Sequence, residues 1–212
     1  GVQGLPFITA AALVTGATMM IQTAVAAPGL PGDIVGKILV AVLLREMAPL
    51  TTAVIVASRS GTAIATELGN MKASLEVWAL ASMGIDPPRF VVLPRIVAVV
   101  ISVLVLTVYF SVVAVTGSFI TALILGAPSP TAMQQGLSEA LGLADLVLFF
   151  VKGIGCGVLV GWVCCHFGLQ VRTSMTEVPQ MTGKAVVRSV LGCVLYNFAV
   201  TVAFYTIVGP PR

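Results

Sequence analysis

The sequence predicts an all-α integral membrane protein of about five spanning helices plus a short cytoplasmic helix. Two observations carry this. Hydrophobic residues make up 58% of the 212 residues and charged ones only 9%, with a mean hydropathy of +1.08. A water-facing surface needs about a quarter charged residues, so the solvent of this chain is largely lipid. The apolar stretches, such as Ile96–Leu125 and Ser189–Gly209, are also continuous. A membrane-crossing backbone must satisfy its own hydrogen bonds, which leaves helices or closed barrels. Barrel strands alternate apolar and polar residues, so continuous runs select helices.

A helix needs about twenty apolar residues to cross the hydrocarbon, and the chain divides accordingly. The first span is expected over 5–27. Ala24-Val25-Ala26 has the look of a signal-peptidase site, but no basic segment precedes it. The chain opens on Gly1 rather than a methionine, and some N-terminal sequence is expected to be missing. Pro28-Gly29-Leu30-Pro31-Gly32-Asp33 breaks the helix. The second span is expected over 34–58, interrupted by Arg45-Glu46, and the third over 96–125. Gly126 to Gly142 reads as a loop. The fourth span covers 143–167 with Lys152 inside it, and the fifth covers 189–208 before Gly209-Pro210-Pro211. The whole chain, 1–212, reads as a single membrane domain.

Lys and Arg gather in alternate connections. Arg59, Lys72, Arg89 and Arg95 lie between spans two and three, and Arg172, Lys184 and Arg188 between four and five. The Gly126–Gly142 connection has none. This pattern places the N-terminus in the cytoplasm. Small residues recur every fourth position at Ala53, Ala57, Gly61, Ala65, Gly69 and Ala73, and again at Gly153, Gly157 and Gly161. Residues four apart share a helix face, and small ones let backbones approach closely. The first row implies that helix two continues past the membrane edge or bends with one face packed.

Residues 67–83 are too polar to span. Leu68, Met71, Leu75, Trp78 and Ser82 form a narrow apolar stripe, with Glu67, Asn70, Lys72, Ser74 and Glu76 beside or opposite it. Gly84 suits a C-cap, and Asp86-Pro87-Pro88 stops the helix. Such a helix can lie in the headgroup layer or dock on a soluble partner. Anionic lipid favours a basic polar face, and this helix has two Glu to one Lys, which favours docking.

Several chemistries have no support. No Lys/Arg run could track nucleic-acid phosphates, and no Gly-x-x-x-x-Gly-Lys-Ser/Thr loop is present. Cys156, Cys164, Cys165 and Cys193 have neither zinc spacing nor a disulfide framework. Cys164-Cys165-His166 points in divergent directions on a helix and reads as packing. No catalytic, cofactor or metal site is expected. Arg45, Glu46 and Lys152 are intramembrane charges, which normally face protein or water. They are expected to form the polar floor of a substrate cavity, with Lys152 a candidate partner for Glu46. An ion-coupled secondary transporter would show inverted repeats and several intramembrane acids, and only Glu46 lies well inside a span. A membrane assembly protein without a transport path is the other rival.

The run Arg45-Glu46-Met47-Ala48-Pro49-Leu50, then Ala57-Ser58-Arg59-Ser60-Gly61 and Glu67-Leu68-Gly69-Asn70-Met71, resembles the MlaE/YrbE family of permeases. Ala79-Leu80-Ala81-Ser82-Met83-Gly84-Ile85-Asp86-Pro87 and Leu93-Pro94-Arg95 continue the likeness in order. It extends more weakly through Lys152-Gly153 and Gly168 to Ala185-Val186-Val187. The chain departs from the family at Ala48, usually Gly, and at Trp78, usually acidic. It also lacks the family's amphipathic N-terminal segment. The resemblance implies one of two permease subunits (commonly a homodimer) of an ABC transporter in the bacterial inner membrane. ATP and Mg would be bound by a cytoplasmic ATPase subunit, and an MCE-domain substrate-binding protein would stand on the far side. The cargo would be lipid, commonly phospholipid. Residues 67–83 would form the coupling helix, with Glu67, Leu68, Met71, Lys72, Leu75, Glu76, Trp78 and Asp86 at the ATPase.

The topology is directly testable. With native cysteines replaced, Ser129→Cys should react with an impermeant thiol reagent added to intact cells and Ser174→Cys should not. Equal labelling of the two sites would contradict five spans.

Overall fold

The computed structural model describes residues 5–26, 31–125, 130–171 and 175–208. Among them the regular structure is helical, without strands. The helices are α1 (Leu5–Ala26), α2 (Gly32–Ala73), α3 (Glu76–Ser82), α4 (Pro88–Leu125), α5 (Pro130–Ala140), α6 (Leu143–Leu169) and α7 (Val178–Val208). α1, α2, α4, α6 and α7 are each long and apolar enough to cross a membrane, as the sequence predicts.

Three helices overrun the expected spans. α2 continues 15 residues beyond 58 to Ala73, α4 begins at Pro88 rather than 96, and α7 at Val178 rather than 189. Hydropathy marks the stretch that suits lipid, whereas a helix can continue beyond the hydrocarbon on either side. At ~1.5 Å per residue, the 42 residues of α2 run to about twice the ~30 Å hydrocarbon thickness. A second difference lies between spans three and four, where Pro130–Ala140 is helical rather than loop. Met133 and Leu137 lie four apart there and pack on the start of α2. Of the expected breaks and labelling sites, Pro28 to Leu30, Gly126 to Ser129, Arg172, Ser174 and Gly209 to Pro211 lie outside the described residues.

The expected single helix over 67–83 is two helices. Ser74 donates its N–H to the Asn70 carbonyl at 2.8 Å, and Leu75 then takes a left-handed conformation, φ 62°. α3 starts afresh at Glu76. Its end matches the expected cap: Gly84 has φ 77°. The Gly84 and Ile85 N–H groups return to the Ala81 and Leu80 carbonyls at 3.0 and 3.1 Å, a paired closure that glycine permits.

Two of three π-helical stretches have a covalent cause. In Leu39–Met47, within α2, the ladder opens so that the Ala48 N–H reaches the Leu43 carbonyl, five residues back. Pro49 follows. It has no N–H for the Arg45 carbonyl and its ring crowds that group, so the preceding turn widens. Pro88–Val92 behaves likewise ahead of Pro94, with the Leu93 N–H on the Pro88 carbonyl. In the third, Ala57–Gly61, the Thr62 hydroxyl intrudes on the carbonyls of Ser58 and Arg59 at 2.8 and 2.7 Å.

The chain forms two compact units. In the first, comprising 1–52 and 105–151, α1 lies directly on α4. A side chain at Gly16 would collide with the Ala114 backbone, and one at Gly117 would meet Leu13. Ser118 Oγ donates to the Gly16 carbonyl at 3.0 Å across this contact. Gly32, Gly36 and Gly136 similarly let α2 and α5 touch backbone to backbone. Buried Thr52 and Thr107 hydroxyls join α2 to α4 at 2.8 Å.

In the second unit, 53–104 and 152–212, both predicted rows of small residues are in use. Ala53, Ala57 and Ala65 are fully buried. A Cβ on Gly61 would meet Cys164 Sγ at 2.8 Å, and one on Gly69 would meet Val178 at 3.1 Å. Gly153, Gly157 and Gly161 face Leu104, Val100 and Ile96 in turn. Each helix steps four residues in the opposite sense to the other, so this contact is antiparallel. Cys156, Cys164, Cys165 and Cys193 are buried.

The glycine contacts predict an ordered mutational series. At Gly157 a methyl would lie 2.8 Å from the Val100 Cα, and backbone cannot swing aside. Gly157→Ala should destabilise by about 1–3 kcal/mol. Gly192 has nothing within 4 Å of that position, so Gly192→Ala should be neutral or gain up to ~1 kcal/mol of helix propensity. Thermal unfolding in detergent checks the ranking.

Candidate functional site

The first unit contains a cavity of about 490 Å³. α2 supplies Val40, Leu44 and Arg45, all from the π-helical stretch, and α4 supplies Val108, Ser111, Val112, Val115 and Thr116. Leu137 of α5 and Leu141 close one side; Asp145, Leu146, Phe149 and Phe150 of α6 form another. Arg45 Nη2 stands 2.6 Å from Asp145 Oδ1, with the two side chains 13% and 10% exposed. Asp145 is held at the head of α6, where its Oδ2 also accepts the Gly142 N–H at 3.2 Å. A carboxylate in a first helical turn is stabilised by the helix dipole.

The lining hydroxyls are turned into their own helix. Ser111 Oγ donates to the Thr107 carbonyl at 2.8 Å and Thr116 Oγ1 to the Val112 carbonyl at 2.8 Å. The space is thus an apolar chamber with one charge-paired corner. It can hold hydrocarbon. It holds no constellation for covalent chemistry.

Of the three residues expected at a polar floor, only Arg45 lines the cavity. Glu46 is next in sequence and half-buried, but is not among the lining residues. Lys152 belongs to the second unit, where it is fully buried and donates to Thr201 Oγ1 at 2.7 Å. Sequence reasoning passed over Asp145 because it falls near a span end. The available signal was an acid in the first turn of an otherwise apolar segment, Leu143 to Phe150.

The residues expected at the ATPase divide by exposure. Leu68 is fully buried, with Gly168 against its Cβ, so it is packed inside its own unit. Arg95 bridges Glu67 at 3.2 Å and reaches Met71 Sδ at 3.7 Å. Leu75 and Trp78 are 54% and 64% exposed, with Lys72 Nζ 5.3 Å from the Trp78 ring centroid. Glu76 is exposed, and Asp86 pairs with Arg89 at 3.5 Å. Met83 and Phe90 extend this exposed apolar surface.

Five lipid-compatible helices and an apolar chamber without a constellation for covalent chemistry are the features of a membrane transport permease rather than an enzyme. The chain belongs to the MlaE permease family, whose model, Permease MlaE, matches residues 1–203. It is similar to a probable ABC transporter permease protein of Synechocystis, with 31% identity over 77% of this chain and 62% of that protein. It is also similar to the intermembrane phospholipid transport system permease protein MlaE of Haemophilus influenzae, 28% identical over 97% of this chain and 79% of the relative. The chloroplastic Protein TRIGALACTOSYLDIACYLGLYCEROL 1 of Arabidopsis thaliana is 27% identical over 81% and 49%. Kinship with ABC transporter permeases implies an ATPase partner.

The buried pair has a testable energetic signature. Removing one partner leaves an uncompensated charge, costing about 3–5 kcal/mol, while replacing both with apolar groups is near neutral. Arg45→Met and Asp145→Leu should each destabilise strongly, and the double variant should recover most of the loss in chemical unfolding. Additive losses would mean that the two side chains do not interact.

Proposed function

We propose that this chain is the permease subunit of an ABC transporter that moves phospholipid between membranes of the cell envelope, from a site in the bacterial inner membrane. The observation that carries the reading is the apolar, charge-neutral chamber in a chain that matches the permease family along nearly its whole length. The name of the Haemophilus relative supplies the cargo class. Arg45 stands at the polar edge of the chamber; Glu46, beside it, and Lys152 act as further intramembrane charges.

In this reading two copies of the chain associate, an MCE-domain protein supplies or receives lipid outside, and ATP with Mg is bound by the ATPase. The docking surface is α3 with its flanks. Leu75, Trp78, Met83 and Phe90 are large, apolar and exposed. They stand among Lys72, Glu76, Asp86 and Arg89, a mixture suited to a protein partner. Leu68 contributes only by packing α2.

Copurification tests this against an ion-coupled transporter or an assembly protein, neither of which should bring down an ATPase. Leu75→Asp tests the surface itself. Asp tolerates the left-handed backbone at that position, so the change removes the apolar contact without breaking the turn. A charge buried unpaired at the contact costs on the order of several kcal/mol. The variant should insert normally yet lose the ATPase subunit and ATP-driven lipid transfer. An intact, active complex would rule α3 out as the contact.

A further inference from the structure

The end of α6 and the start of α7 carry positive charge that no acid of the chain neutralises. Among the described residues, Arg89 pairs with Asp86, Arg95 pairs with Glu67, and Lys72 lies over the Trp78 ring. Lys184 and Arg188 are exposed and make no ion pair. Glu177 precedes Lys184 by seven residues, ~10 Å along the axis, and has other contacts. Arg188 is held in place: its guanidinium carbon lies 4.7 Å from the centroid of Phe167, which is buried. Stacking uses the flat face of a guanidinium and leaves its N–H edge, which matches a phosphate bidentately. The exposed His166 meets the same Phe167 ring edge-on at 5.6 Å, so α6 and α7 build one patch.

The depth of this patch suits a headgroup. The apolar stretch of α7 begins at residue 189, one position past Arg188, and Lys184 stands ~6 Å further out. The headgroup region is about 5–8 Å deep on each side of the hydrocarbon. Trp162, one turn before His166 on α6, is 62% exposed, as interfacial aromatic anchors are. Past the cations the same face turns apolar. Lys184, Arg188, Leu191, Leu195, Phe198 and Val202 recur at steps of four and three, so they share one side of α7. The last four are 46–70% exposed. A cationic head above an apolar stripe is the complement of an anionic lipid lying along the helix. A second copy fits this face poorly. An isologous contact repeats the same patch on both sides, which would set the cations of one copy against those of the other.

We propose that this face of α7 holds an anionic phospholipid of the cytoplasmic leaflet as a resident ligand, its phosphate between Lys184 and Arg188 and its tails along Leu191, Leu195 and Phe198. This lipid is not cargo, and none of these residues lines the chamber. The proposal depends on the spans and their orientation and not on what the permease moves. Charge sets the preference, at about 5-fold for each basic residue near an anionic headgroup and so about 25-fold for the two.

The test purifies the protein with its associated subunits, removes bound lipid in detergent, and offers phosphatidylglycerol and phosphatidylcholine with identical tails. Native mass spectrometry counts what is retained. Phosphatidylglycerol should be retained about 25-fold better, and Lys184→Gln and Arg188→Gln should each cut that preference about 5-fold. Lys37→Gln removes a charge already paired with Glu139 and should leave it unchanged. Equal retention of the two lipids, or an equal loss in all three variants, overturns the proposal. The wild-type comparison decides even if a variant does not fold. ATP with Mg should leave the count unaltered, because release on turnover would make the lipid cargo and sink the idea. Inorganic phosphate should displace the lipid no better than chloride at equal ionic strength; stronger displacement assigns the cations to a free anion instead. With native cysteines replaced, Leu191→Cys should not crosslink between copies in membranes, and efficient crosslinking would hand the face to a second copy. A complex that keeps its ATPase and its lipid transfer while failing these tests loses only the α7 site.

Discussion

Close backbone contact at glycine is the constraint on which both units depend. In lipid, helices gain nothing from hiding apolar side chains from water, so they associate by packing and interhelical hydrogen bonds. At Gly16 against Ala114 and at Gly136 against Asp33, no side chain of any size fits. The Ser118 hydroxyl can reach the Gly16 carbonyl only because the two backbones already touch. In the second unit the glycines of α6 repeat every fourth residue and find partners on α4 at the same stride. One seam thereby fixes rotation and register together.

Proline sets the other local geometry. Pro49 withholds an N–H from α2, and the turn before it opens to a wider pitch. All three α2 residues that line the chamber lie in that widened stretch. With five residues to the hydrogen-bonded ring, neighbouring side chains stand closer in direction than on an α-helix, so Leu44 and Arg45 share one wall. An apolar residue and a cation then face the same space, and Asp145 on α6 neutralises the cation. Motif, pitch and cavity follow from one imino acid.

Much of this was legible in the sequence. Five spans followed from hydropathy, both rows of small residues are buried seams, and Gly84 caps α3. The row of small residues already implied that α2 runs on past the membrane edge or bends, and it continues through Arg59 and Lys72 to Ala73. What could not be read was how far α4 and α7 extend before their apolar stretches. The break at Leu75 left no signal: a leucine with φ 62° runs against its own preference, and neither Gly, Asn nor Pro marks the turn. Glycine seams joining distant segments, such as Gly16 with Ala114, were equally hidden, since one glycine in an apolar run does not name its partner. Asp145 was visible as a residue, but its pairing with Arg45 needed the fold.

Exposed apolar residues in this protein fall into two kinds that differ in their chemical surroundings. Along α4, Val97, Ile101, Val105, Val108 and Val112 are exposed at steps of three and four. That is an aliphatic stripe without a charged neighbour on its face, and it suits acyl chains. Around α3 the exposed residues are Leu75, Trp78, Met83 and Phe90, with Lys72 against the Trp78 ring and an Asp86–Arg89 pair beside them. Aromatic residues, methionine and a charged rim are the composition of a protein interface. Such charges would be costly in hydrocarbon, whereas a cytoplasmic partner can meet both the rings and the ions. The stripe and the patch lie on different helices, so the same chain can face lipid along α4 and a soluble partner at α3.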